Sequence, residues 1–101
     1  MQKLQSQTKG VHLQHRHKTY DLFVRSDGTL ELYVDRCLRK DRKLGEREPQ
    51  YVWTNIELEW EEHHYIEARY WQSRDELVVT VNGDEAYRGS PEVVSLPAWL
   101  D

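Results

Sequence analysis

Apolar residues recur at every second position over most of this chain, and no other feature constrains its fold as strongly. A side-chain period of two belongs to strands with one buried face; a helix repeats every three to four residues. Thr19 to Arg25 alternates around Tyr20, Leu22 and Val24, Ser26-Asp27-Gly28 supplies a turn, and Thr29 to Leu38 resumes with Leu30, Leu32 and Val34. Tyr51 to Trp60 sets Val52, Ile56, Leu58 and Trp60 on one face. His64 to Trp71 sets Ile66, Ala68 and Tyr70 on one face, with Glu61, Glu62 and His63 as the turn between these two segments. Ser73 to Asp75 turns the chain into Glu76 to Asn82, where Leu77, Val79 and Val81 alternate. Asn82-Gly83 favours a type I′ turn because both residues tolerate positive φ, and Glu85 to Arg88 returns as a short edge strand.

The pattern predicts a mainly β fold: an antiparallel meander sheet of about five or six strands, a partly open barrel or a sandwich, with a short C-terminal helix or turn. Ser90-Pro91-Glu92 has the form of a helix start, with a hydroxyl cap, proline at the first helical position and an early carboxylate. Pro97 limits any such helix, and Val93, Val94, Leu96, Trp99 and Leu100 read as a packing segment. Residues 1–17 read as a polar N-terminal arm, and residues 18–101 as a single β-rich domain. Within that domain 39–50 reads as a long basic loop, since it is almost free of apolar residues and carries Gly45 and Pro49. A chain of 101 residues suits one domain and needs no metal or disulfide staple to complete its core.

Strand parity places a second set of side chains opposite the aliphatic ones: Phe23, Tyr33, Tyr51, Trp53, Tyr65 and Trp71. Neighbouring strands lie about 4.8 Å apart, so a five-stranded sheet is roughly 24 Å wide, whereas one helix covers about 10 Å. The C-terminal segment therefore shields such a face only in part. Sheet curling, cover from the arm through Val11 and Leu13, or cross-strand pairing of the rings would each dispose of the remainder. Otherwise the rings form a partner-binding surface, for a second copy of the chain as a homodimer or for a foreign protein.

Charge is segregated. Arg36, Arg39, Lys40, Arg42, Lys43 and Arg47 form a basic patch, followed by Glu57, Glu59, Glu61, Glu62 and Glu67. The basic cluster beside exposed rings raises the alternative of a single-stranded nucleic-acid-binding module. A net charge of −4 and the neighbouring glutamates oppose that alternative. A β-barrel holding a small ligand is a further alternative.

No catalytic motif is visible: there is no Gly-rich phosphate loop, nucleophile elbow or Ser/His/Asp arrangement. Glu61, Glu62 and Glu67 lie beside a turn with nothing to imply the shielded cleft that general acid–base chemistry needs. His12, His15, His17, His63 and His64 lack convincing ligand spacing, so neither a metal nor a cofactor is expected. The single cysteine, Cys37, has basic neighbours that would favour its thiolate, but an inert packing role is the simpler reading. It excludes an intrachain disulfide, and a cytoplasmic location is expected. Met1 to Lys18 lacks the apolar stretch of a signal peptide, no segment reaches transmembrane length, and no membrane partner is expected. The expected function is a non-enzymatic protein-binding module, such as a small inhibitor, immunity or accessory protein.

Overall fold

The computed structural model describes residues 7–58 and 62–100. Among these residues nine strands form two antiparallel sheets. The first sheet contains β1 (Lys9–His15), β2 (Lys18–Val24), β3 (Leu30–Val34), β4 (Cys37–Arg42) and β9 (Glu92–Val93), in the order β4-β3-β2-β1-β9. The second contains β5 (Gln50–Leu58), β6 (Glu62–Trp71), β7 (Glu76–Val81) and β8 (Asp84–Gly89), in the order β5-β6-β7-β8. The mainly β antiparallel architecture expected from the periodicity is present, as two meanders facing each other rather than as a closed barrel.

The alternating residues form the layer between the sheets. Tyr20, Leu22, Leu30 and Leu32 of the first sheet meet Ile66, Ala68, Leu77 and Val79 of the second, all at 0–1% exposure. Because the chain fills this space itself, the small-ligand reading loses the interior it required. Burial, aided by the charge of Asp35, pushes the Tyr20 phenol up to about 12.

Polar links tie the sheets together at both ends of β1 and β6. At one end Asp75 accepts from Lys9 Nζ at 2.9 Å and from the Tyr70 hydroxyl at 2.6 Å. At the other, His15 Nε2 lies 3.1 Å from Nδ1 of the buried His64, and Arg16 donates to Glu62 at 3.0 Å. Along the opposite margin, buried Gln50 donates through Nε2 to the carbonyls of Gly28 and Arg42.

Three local expectations require correction. Residues 1–17 do not read out as an arm alone, because Lys9–His15 pairs with β2 at every position and packs Val11 and Leu13 against the core. Polar outward residues and a glycine at Gly10 hide that strand from a hydropathy pattern. The loop expected over 39–50 begins later, because β4 extends to Arg42 and leaves 43–49 as the connection. All six side chains of β4 are exposed, so hydrogen bonds to β3 rather than burial create it, and alternation carries no trace of it. The strand expected to run on to Leu38 breaks at Asp35 and Arg36, both at positive φ as in a type I′ turn. Thr19 N and Lys18 Nζ donate to the Asp35 carboxylate at 3.0 and 3.1 Å, supplying local stabilisation that Asn-Gly would not need.

The Asn82-Gly83 turn forms as expected, with φ of 51° and 85°. The helix start at Ser90 does not form: Glu92–Val93 instead pairs with Gly10 and Lys9 as β9, and only a turn at Pro97 to Leu100 follows. Pro97 leaves too short a run for a helix, while the exposed edge of β1 offers immediate ladder partners. Among the described residues no helix is long and apolar enough to cross a membrane.

Candidate functional site

The six rings grouped by parity do point away from the aliphatic core, but the two-sheet architecture sends them to opposite surfaces. Phe23 and Tyr33 lie on the outer face of the first sheet, edge-to-face at 5.6 Å. Trp99 closes over both, with centroid distances of 6.2 and 5.5 Å, and leaves them 5% and 7% exposed. A Cβ at residue 10 would lie 3.0 Å from the Phe23 ring, so Gly10 makes room for that ring beneath the C-terminal segment. Phe23 and Tyr33 thus become a minor core, and the partner-binding role expected of them loses its accessible surface.

Tyr51, Trp53, Tyr65 and Trp71 lie on the outer face of the second sheet. Trp53 is 44% and Tyr65 47% exposed, with their rings 6.4 Å apart. Asn82 fixes the Tyr65 backbone: its side-chain oxygen accepts from Tyr65 N at 2.9 Å, and its own N–H donates to the Tyr65 carbonyl at 2.8 Å. Tyr51 is committed to neighbours, donating to Glu67 at 2.6 Å beneath the Arg69 guanidinium, which lies 4.7 Å from the ring centroid. That hydrogen bond, with burial and the Glu67 charge, raises the Tyr51 pKa. Trp71 lies at the far end of β6 under Arg74, at 4.4 Å, and is only half-exposed. Among the described residues, the available aromatic surface of this sheet is therefore the Trp53–Tyr65 pair.

Part of the basic patch approaches this pair from one side. Lys40 of β4 places its ammonium 5.7 Å from the Trp53 ring centroid, and Arg39 donates to the Asn55 carbonyl of β5 at 3.2 Å. Lys40, Asp41, Arg42, Tyr51, Val52 and Trp53 line a cleft of about 380 Å³ at the seam between β4 and β5. Arg36 sits elsewhere, 5.8 Å over Trp99, whereas Lys43 and Arg47 lie in the connection after β4. The partition of charge is sharp. Outside residues 36–47, each described lysine and arginine has a carboxylate at ion-pair distance, from Arg74–Glu76 at 2.6 Å to Arg69–Glu67 at 3.7 Å. Within 36–47 no cation has one among the described residues.

Sequence reasoning placed the rings facing outward but missed the seam. Leu38 and Leu44 give no signal of it, since both are exposed and neither lines the cleft. Among the described residues no group of three or more His, Cys, Asp or Glu side chains converges. His12 contacts Asp21 at 2.7 Å, His63 contacts Asn55 at 3.2 Å, and only His15 and His64 meet each other. His63 and His64 take opposite faces, as their adjacency in a strand requires. Of the acidic residues after the loop, Glu57 is exposed at the end of β5 and Glu67 is held by Tyr51 and Thr80; Glu59 and Glu61 lie outside the described residues. Cys37 is exposed at the start of β4, not a packing residue. No protein-family model, no curated protein and no solved structure matches this chain.

Proposed function

We propose that the chain is a non-enzymatic protein-binding module, in the manner of a small inhibitor, immunity or accessory protein, and that it docks through the outer face of the second sheet. One observation carries this reading: the chain spends its own C-terminal segment on sealing one aromatic face and leaves Trp53 and Tyr65 uncovered on the other. Exposed aromatic side chains are enriched at interface centres relative to ordinary surface. A cytoplasmic location belongs to the same reading, since an exposed lone thiol survives best in a reducing compartment. The partner is a foreign protein or a second copy of the chain.

The test is capture from the native host with the intact chain and with Trp53→Ala and Tyr65→Ala, alongside solution mass as a function of concentration. Truncating an interface-centre ring costs about 2 kcal/mol or more in binding. Loss of capture or of self-association by folded variants supports the reading; undiminished association in both overturns it. A single-stranded nucleic acid is the second reading, favoured by Lys40 lying beside a ring on which a base could stack. The carboxylates of Glu57 and Glu67 on that face oppose it.

A further inference from the structure

We infer that the β4–β5 seam takes an extended acidic peptide segment of the partner, with carboxylates at alternate positions meeting Lys40 and Arg42 and an intervening contact on Trp53. The inference rests on the protein-binding reading and specifies the partner's chemistry. The first support is charge complementarity. Cations of residues 36–47 have no carboxylate partners among the described residues, whereas every other described cation has one. The stretch stays net basic with Asp41 and Glu46 counted, and an anionic partner offsets that excess of positive charge while steering association.

Spacing is the second support. Lys40 and Arg42 stand in register with Leu32 and Leu30, so both project from the same side of β4, two residues apart. Alternate side chains of an extended chain repeat at about 6.6 to 6.8 Å, the same interval. Both side chains line the cleft that Trp53 closes from β5.

The seam also borders two terminal strands, β4 of one sheet and β5 of the other, whose outward backbone groups have no ladder partner. Side chains meet two of those carbonyls, Asn55 through Arg39 and Arg42 through Gln50. A peptide backbone supplies both donors and acceptors to such edges, as in strand addition. A phosphodiester chain only accepts, so it cannot donate to the carbonyls of those edges. Cations on an exposed edge ordinarily discourage strand pairing. Here the same cations repel a basic strand and attract an acidic one, and so provide discrimination.

The experiment uses the full chain and a capped synthetic peptide of alternating glutamate and threonine, with an alternating lysine–threonine peptide and an oligothymidylate as competitors. Calorimetry and tryptophan fluorescence read binding at low and at physiological salt, and amide exchange reads protection in β4 and β5. The acidic peptide is expected to bind, to protect amides in one or both strands, and to weaken about tenfold or more on Lys40→Glu with Arg42→Glu. The reversed chain is expected to prefer the lysine–threonine peptide. Lys40→Ala with Arg42→Ala gives the same direction should charge reversal disturb the fold. Absence of saturable binding by the acidic peptide, indifference to charge reversal, or tighter binding of the oligothymidylate through the same residues overturns the inference. Host-partner capture separates the two proposals. If Lys40→Glu with Arg42→Glu retains the partner while Trp53→Ala with Tyr65→Ala loses it, the docking face stands and the acidic segment falls. If all folded variants retain the partner, the docking face itself falls.

Discussion

The two outer faces of this sandwich start from the same material and end in opposite states. Each carries two close aromatic rings and a cation above a ring: Phe23, Tyr33 and Arg36 over Trp99 on one, Trp53, Tyr65 and Lys40 on the other. The first pair is 5–7% exposed, and the second 44–47%. Composition does not distinguish them; the C-terminal segment does, because β9 pairs beside β1 and delivers Trp99 to the first face alone. An aromatic face is therefore core or interface according to what the rest of the chain can reach. Truncating rings on the two faces must then produce different failures.

The largest contrast is expected between Phe23→Ala and Trp53→Ala. Removing a buried ring costs about 3 to 5 kcal/mol, whereas surface substitutions usually stay within about 0.5 kcal/mol. Urea denaturation of the two variants should show the midpoint falling steeply for Phe23→Ala and scarcely moving for Trp53→Ala. Equal losses would mean that both faces are core and would remove the distinction. Trp99→Ala belongs with Phe23→Ala in direction, because it uncovers Phe23 and Tyr33 together.

A smaller effect is expected of Gly10→Ala. The added methyl group would meet the Phe23 ring at 3.0 Å and Val94 at 3.2 Å, and overpacking of this kind costs about 1 to 3 kcal/mol. The lid should loosen first, seen as faster amide exchange at Val94, whose N–H donates to the Thr8 carbonyl at 3.0 Å. An unchanged Val94 exchange rate together with unchanged stability would show that the seal does not depend on close packing at Gly10.

These contrasts mark what was legible in the residues. Alternation locates Leu22, Leu32, Ile66 and Val79 in the core because residues two apart in a strand share the face that turns toward the other sheet. It is silent on β4, whose side chains are all exposed, and therefore on the seam where the basic patch meets Trp53. Parity assigns Phe23 and Trp53 the same outward orientation and contains no information on which sheet each joins. That information lies in long-range pairing: β9 with β1, and the absence of a ladder between β4 and β5. Asp35-Arg36 escapes notice for a different reason, since its left-handed turn is held by Thr19 and Lys18, distant in sequence from the turn itself.

A matched pair of cations gives a finer comparison. Arg36 lies 5.8 Å from the Trp99 centroid and Lys40 lies 5.7 Å from that of Trp53, so geometry is shared and setting differs. A cation over a ring at an exposed site contributes about 0.5 to 1 kcal/mol. Arg36→Ala is expected to lower stability by about 0.5 kcal/mol, because the ring beneath it anchors a lid. Lys40→Ala is expected to leave stability unchanged and to shift the Trp53 emission, since nothing in the fold depends on that ring staying put. Chemical denaturation resolves the first, and fluorescence the second.

The smallest effect is expected on mild acidification, and it should reach the open face before the sealed one. His64 comes from β6, where the next residue is exposed Tyr65, and its ring meets His15 of β1 at 3.1 Å. That contact needs one nitrogen to donate and the other to accept, which ties it to the protonation of the His15 ring. Burial is the main cause that lowers the His15 pKa below its ordinary 6.5; His64 and Arg16 add to it, and Glu62 opposes them. A lowered histidine pKa means that the unfolded chain takes up the proton first. Stability is therefore unaffected well above pH 6.5, declines as the pH falls through that value, and levels off once the folded state is protonated as well. Amide exchange followed from pH 7.5 to 5.5, corrected for its intrinsic pH dependence, should show protection falling at His64 and Tyr65 while Phe23 and Tyr33 hold. His15→Gln, which removes the titrating ring and keeps a hydrogen-bonding side chain, should flatten that response. A uniform loss of protection over both faces would show that the histidine contact holds the whole sandwich rather than the end of the open sheet.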